Sequence, residues 1–83
     1  MSEVSFIIHK HLGVLHEVRF GDGIGTREIN IVSWNNRPPK IEVRDWNSDH
    51  TRMSKGIGTF TNEEAEQLVM ILTNYFRERS NDD

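Results

Sequence analysis

Cysteine is absent from this 83-residue sequence, which excludes a disulfide framework and a thiolate metal site. Proline occurs only twice, as the pair Pro38-Pro39. No apolar run approaches the roughly 20 residues that a membrane helix requires. The start, Met1 to His11, lacks a basic segment followed by a long apolar stretch, so no secretory leader is expected. An excess of positive charge is also missing, since the net charge is −3. Hydrophobic residues make up only 35% of the chain, against 28% charged. A domain this small and polar builds a thin core and draws stability from a staple or a partner. With disulfides excluded, a second subunit is the expected source of extra buried surface. The lack of cysteine fits a reducing, cytoplasmic setting.

The charge is unevenly spread. Residues 1–26 carry −1, residues 27–60 carry +2 and residues 61–83 carry −4. A basic middle can present a nucleic-acid groove within a weakly acidic protein.

Apolar alternation and turn chemistry divide the chain, read as a single domain over 1–83 with an ordered core over about 5–77. Ser5 to Phe20 reads as one long strand, with a bulge or bend at Gly13. Gly21 to Gly25 reads as a turn or flexible loop and Thr26 to Trp34 as a second strand. Asn35 to Pro39 is a turn, and Lys40 to Trp46 is a third strand. A polar loop follows, then a short fourth strand over Lys55 to Phe60. Thr61-Asn62-Glu63-Glu64 is a capping box that opens a helix. Ala65, Leu68, Val69, Leu72, Tyr75 and Phe76 recur at helical spacing, and Met70 and Ile71 widen the stripe almost to the full circumference. Such a helix needs a second surface, expected to be another copy meeting Leu68, Ile71, Leu72 and Tyr75. The tail Arg77 to Asp83 is expected to fray. The fold class expected is α+β: a β-β-β-β-α chain with one antiparallel sheet covered on one face by the helix.

Alternation across the strands assigns the faces. Ile29, Ile31, Ile41 and Val43 turn toward the helix. Trp34 and Trp46 then share the opposite face with Asn30, Lys40 and Arg44. Aromatics beside cations suit single-stranded nucleic acid, because bases stack on rings while Lys and Arg follow the phosphates. An indole near a strand end can equally fold over the sheet rim and close a minor core. His9 and His11 fall on one face of the first strand, with His16 nearby. A solvated strand face explains them more simply than a metal site, which needs further converging ligands. The Gly21–Gly25 loop lacks the lysine and following helix of a phosphate loop. No catalytic set has positional support, so neither an enzyme nor a cofactor is expected.

Val32-Ser33-Trp34, the turn ending in Pro39-Lys40, Ile41-x-Val43-Arg44-x-Trp46, Lys55-Gly56-Ile57 and the Thr61 cap together cover most of residues 5–76. In combination they resemble the bacterial YdbC-like branch of the transcriptional positive cofactor four family. The resemblance implies a strongly curved four-stranded sheet, pairing of two protomers through their helices, and a groove for single-stranded DNA. It implies Trp34 and Trp46 as base-stacking residues and Arg44, Lys55 and Lys40 as backbone contacts. Arg27 and Arg37 join them as further cations of the basic segment. The expected protein is a nucleoid-associated homodimer that binds single-stranded DNA or RNA in transcription or replication. The competing expectation is an adaptor that engages transcription or replication proteins through the apolar helix. The sequence lacks the basic, Ser-rich N-terminal arm of eukaryotic members, which sets it apart from an activator of that type.

Overall fold

The computed structural model describes residues 5–81. Three strands and one helix follow in order: β1 (Phe6–Phe20), β2 (Gly23–Trp34), β3 (Lys40–Asn47) and α1 (Asn62–Asn81). The strands form an open antiparallel meander, β1-β2-β3. Among the described residues no helix is long and apolar enough to cross a membrane.

The turns follow from residue chemistry. Gly21 takes a left-handed φ of 58° and, with Asp22, joins β1 directly to β2. The glycines at 23 and 25, expected in a loop, are instead the start of β2. Asn35 and Asn36 take φ of 52° and 64°, the region Asn tolerates best after glycine. The Asn35 side chain also accepts from the Ser5 backbone, at 3.1 Å, which ties the chain start to this turn.

Register decides the faces. The β2–β3 ladder runs unbroken from Gly25↔Asn47 to Val32↔Lys40. Alternation therefore holds along both strands, and the face assignment made from the sequence survives. The β1–β2 ladder instead slips at three places, between Ile8 and Lys10, His11 and Gly13, and Val14 and His16. Each slip adds a residue to β1 and bends it, which coils the sheet.

The expected fourth strand is corrected. Residues 52–57 run beside β3 and donate Ser54 N–H to Asp45 O and Ile57 N–H to Val43 O, both at 2.9 Å. Met53 forms an isolated bridge with Trp46. No regular strand follows over Lys55–Phe60. Gly56 and Gly58 lower strand preference there, so the segment shields the β3 edge without extending the ladder.

Helix α1 begins as expected. Thr61 Oγ accepts the Glu64 N–H at 3.1 Å, and Glu64 accepts the Thr61 N–H at 2.9 Å. The helix continues to Asn81, past the point where fraying was expected. Ile71 packs on Gly13, where a Cβ would come within 2.7 Å of its Cδ1 atom. Gly13 therefore serves as the seat of the helix on β1. Leu68, Ile71, Leu72 and Tyr75 are half-buried, and Lys10 Nζ lies 5.4 Å from the Tyr75 ring. Their i, i+3, i+4, i+7 spacing is thus used in part against the chain's own sheet, which leaves less of these four side chains for the contact with a second copy expected from the sequence. The large apolar residues of α1 left outside are Val69, Met70 and Phe76, at 63%, 60% and 49% exposure.

The buried core lies on both sheet faces. Ile29 and Val43 face the helix, while Val32 and Trp46 lie on the opposite side.

Candidate nucleic-acid interface

The site begins with the curl of the sheet. Phe6 stands opposite Trp34 on the ladder, and Trp46 stands opposite Thr26. Coiling nevertheless brings all three rings together. Trp34 and Trp46 stack with centroids 6.4 Å apart and planes 14° apart. Phe6 lies 5.4 Å from Trp34 and 5.2 Å from Trp46. Gly25 permits this closure, because any side chain there would collide with the Trp46 carbonyl. Phe6 is the member of the cluster that sequence reasoning missed. Its position at the head of β1 became meaningful only with the register.

Both tryptophans thus share the non-helical face, but their roles differ. Trp46 has 0% exposure. Its expected role as an open stacking platform is corrected: Phe6, Trp34 and His50 surround the ring and leave no face for a base. Its Nε1–H has no hydrogen-bond partner among the described residues. Trp34 is half-buried and donates its Nε1–H to Glu42 at 2.7 Å. The Arg44 guanidinium lies 4.5 Å above the Trp34 ring, a cation–π contact.

The expected cations divide into engaged and free. Arg44 grips Glu42 through Nε at 2.7 Å and Nη2 at 3.2 Å, and donates Nη1–H to Ser54 O at 2.6 Å. Arg27 lies on the helix side, bidentate on Asp45 at 2.8 and 3.2 Å and bonded to Glu64 at 2.7 Å. These carboxylates raise the Arg27 pKa against the opposing effect of burial. Each arginine thus commits three of its five N–H donors and its charge within the chain, which makes both poorer phosphate contacts than the sequence suggested. Arg37, Lys40 and Lys55 are exposed and form no ion pair among the described residues. Trp34, Arg37, Lys40, Val32, Pro38, Ile41 and Glu42 line one groove of about 410 Å³ at the β2–β3 turn. Lys55 follows Ser54, whose carbonyl Arg44 holds.

The histidines do not converge. The slip at His9 turns it toward Ser33 at 3.0 Å, whereas His11 meets Asn30 at 2.7 Å. Ser33 and Asn30 are three residues apart and so lie on opposite faces of β2. His16 joins Glu64 at 2.7 Å. The expectation that His9 and His11 share a face is therefore corrected, and the described residues contain no cluster able to hold a metal ion.

Two carboxylates anchor the face ends. Burial pushes the Glu28 carboxyl up, but bonds from Thr26, His50 and Asn30 outweigh it and hold the pKa below the usual carboxylate value. Glu64 is drawn down to about 2, first by the Thr61 backbone N–H, then by His16 and Arg27.

No family model matches the chain. An uncharacterized protein of Treponema pallidum (strain Nichols) is 40% identical over 45 residues, which is 54% of this chain and 52% of that protein. The chain thus spans about half the length of the curated relative it matches.

Proposed function

We propose that this protein binds single-stranded nucleic acid along the β2–β3 turn groove, as a non-enzymatic homodimer of the positive cofactor four type. The observation that carries the proposal is the groove itself, in which the Trp34 indole is flanked by the cations Arg37 and Lys40, which form no ion pair among the described residues. The indole edge and the apolar walls Val32, Pro38 and Ile41 receive a base. Arg37, Lys40 and Lys55 meet phosphates. A fully stacked base gains about 1–3 kcal/mol, and an indole that offers its edge gives less, so one tryptophan per protomer makes a weak site. Two linked sites compensate through effective concentration.

The dimer reading is supported by α1. Val69, Met70 and Phe76 form an apolar surface that stays exposed among the described residues. A second copy suits it, because the same surface on two copies makes a self-complementary two-fold contact. The nucleoid and the transcription or replication machinery are the proposed setting. The same surface supports the adaptor reading, in which a different protein occupies it.

The test is a titration of labelled oligo-dT, oligo-U and a duplex of equal length, read by anisotropy at several salt concentrations. The proposal expects salt-sensitive binding of the single strands, weaker binding of duplex, and loss of binding in Trp34→Ala. Equal binding by wild type and Trp34→Ala rejects it.

A further inference from the structure

Trp46 is sealed on one side by a loop, and the way the loop is held has chemical content. Residues 47–52 are organised internally by Asn47, whose Oδ1 accepts the N–H groups of Thr51 at 2.9 Å and Arg52 at 3.0 Å. His50 at its tip takes a left-handed φ of 59°, uncommon for a residue with a side chain. Its imidazole packs on Trp46, with centroids 5.6 Å and planes 32° apart. Its Nε2 lies 2.9 Å from each oxygen of Glu28. Glu28 is 3% exposed and also accepts from Asn30 Nδ2 at 3.2 Å and from Thr26. Beside this contact is a cavity of about 320 Å³ lined by Ile8, His11, Glu28, Asn30 and His50.

A flat nitrogenous ring thus lies against an indole and points a ring nitrogen at both oxygens of a buried carboxylate. The contact is tilted, not stacked, but its two elements, an aromatic face and a hydrogen-bonding edge, are those with which a protein holds a nucleobase. We infer that His50 occupies a base-reading pocket formed by Trp46 and Glu28, and that guanine in a single strand displaces it. This rests on the single-strand reading above and adds base selectivity to it.

The choice of guanine follows from donor counting. Displacing His50 takes one donor from a buried carboxylate and leaves it only those of Thr26 and Asn30, and an under-satisfied buried charge is costly. Only a base with two adjacent donors replaces that partner across both oxygens. Guanine offers N1–H and N2–H side by side. Cytosine and adenine place an acceptor next to their amino group, and thymine flanks its one N–H with two carbonyls. A site built to bond two donors discriminates strongly against bases that lack one. Opening the loop also breaks no bond of the Trp46 Nε1–H, which has no partner among the described residues. His50→Gly removes the competing ring at a position whose backbone glycine adopts freely.

The experiment compares oligo-dT carrying one central dG, dI, dA or dC, titrated into wild type, His50→Gly and Glu28→Gln. Inosine keeps N1–H and lacks the N2 amine, so it tests the pocket without altering the protein. Wild type is expected to favour dG over dA and dI by about tenfold, within the range of a bidentate base contact. His50→Gly is expected to widen the preference, with all-dT affinity unchanged. Glu28→Gln is expected to erase the preference and keep all-dT binding. Near-ultraviolet circular dichroism checks the fold of each variant. Equal affinity for dG, dI and dA in wild type and in folded His50→Gly overturns the inference and leaves single-strand binding standing. Failure of every oligonucleotide to bind overturns both.

Discussion

Trp34 and Trp46 lie eight ladder positions apart, since Trp46 faces Thr26, yet their ring centroids are 6.4 Å apart. In a flat sheet that spacing is roughly 26 Å at about 3.3 Å per residue. The coil of the sheet, together with the reach of two long side chains, closes that gap. It makes one ring a packed floor and leaves the other at the rim of a groove.

The two rings should therefore respond differently to truncation. Trp46→Ala empties a fully buried site and is expected to cost about 3–5 kcal/mol in urea unfolding. Trp34→Ala, at a half-buried ring, should destabilise less and abolish oligonucleotide binding. Equal stability losses would contradict this division.

The division was only partly legible in the sequence. Alternation placed both indoles on one face because the β2–β3 register contains no slip. It could not give the full coil, which arises from three slips in β1: Gly13 marked the one between His11 and Gly13, but nothing in the alternating apolar residues marks the other two. The same slips separated His9 from His11. Arg27 and Arg44 read as free cations because their carboxylate partners are set by tertiary packing. Glu42, two residues from Arg44 on the same strand face, was the one partner visible in advance. The capping box was local and so fully readable. The length of α1 and the split of its stripe depended on its seat on Gly13.

Glycine substitutions should rank by what they strike. At Gly25 a methyl group meets the Trp46 carbonyl, which the ladder holds fixed. At Gly13 it meets the end of the Ile71 side chain, which can rotate. Gly25→Ala is expected to cost about 3 kcal/mol, the upper part of the overpacking range, and Gly13→Ala about 1 kcal/mol. Thermal unfolding of both variants checks the order.

The His16–Glu64–Arg27–Asp45 network should make the docking of α1 pH-dependent. Glu64 is drawn from the usual 4.5 to about 2, so its contribution is present above pH 4.5 and is lost as pH falls toward 2. His16 is raised above 6.5, first by its bond to the Glu17 carbonyl and then by Glu64. Its contribution is full below pH 6.5 and is lost as pH rises through the raised value. Stability from this network should peak between the two. Glu64→Gln is expected to flatten the acid limb and His16→Gln the alkaline limb of urea midpoint against pH.

Charge on the outer helix face should separate the protomers. Met70→Asp places a carboxylate on a surface that is 60% exposed in the single chain. Sedimentation equilibrium is expected to show a dimer for wild type and a monomer for the variant. Binding of long oligonucleotides should weaken, with short ones held as before.

Removing the groove cations should alter salt dependence. Arg37→Ala with Lys40→Ala is expected to lower the slope of log affinity against log salt by about 1.4, or about 0.7 for each phosphate no longer neutralised. The folding midpoint should stay unchanged, since neither side chain forms an ion pair among the described residues.

The most direct measurement follows the two indole N–H resonances in a nitrogen-15 correlation spectrum as oligo-dT is added. The Trp34 Nε1–H, bonded to Glu42, should shift together with the amides of Arg37, Lys40 and Ile41, while the enclosed Trp46 Nε1–H stays in place. A spectrum in which the Trp34 resonance does not move, or in which shifts gather on the helix side around Arg27 and Glu64, would contradict the account.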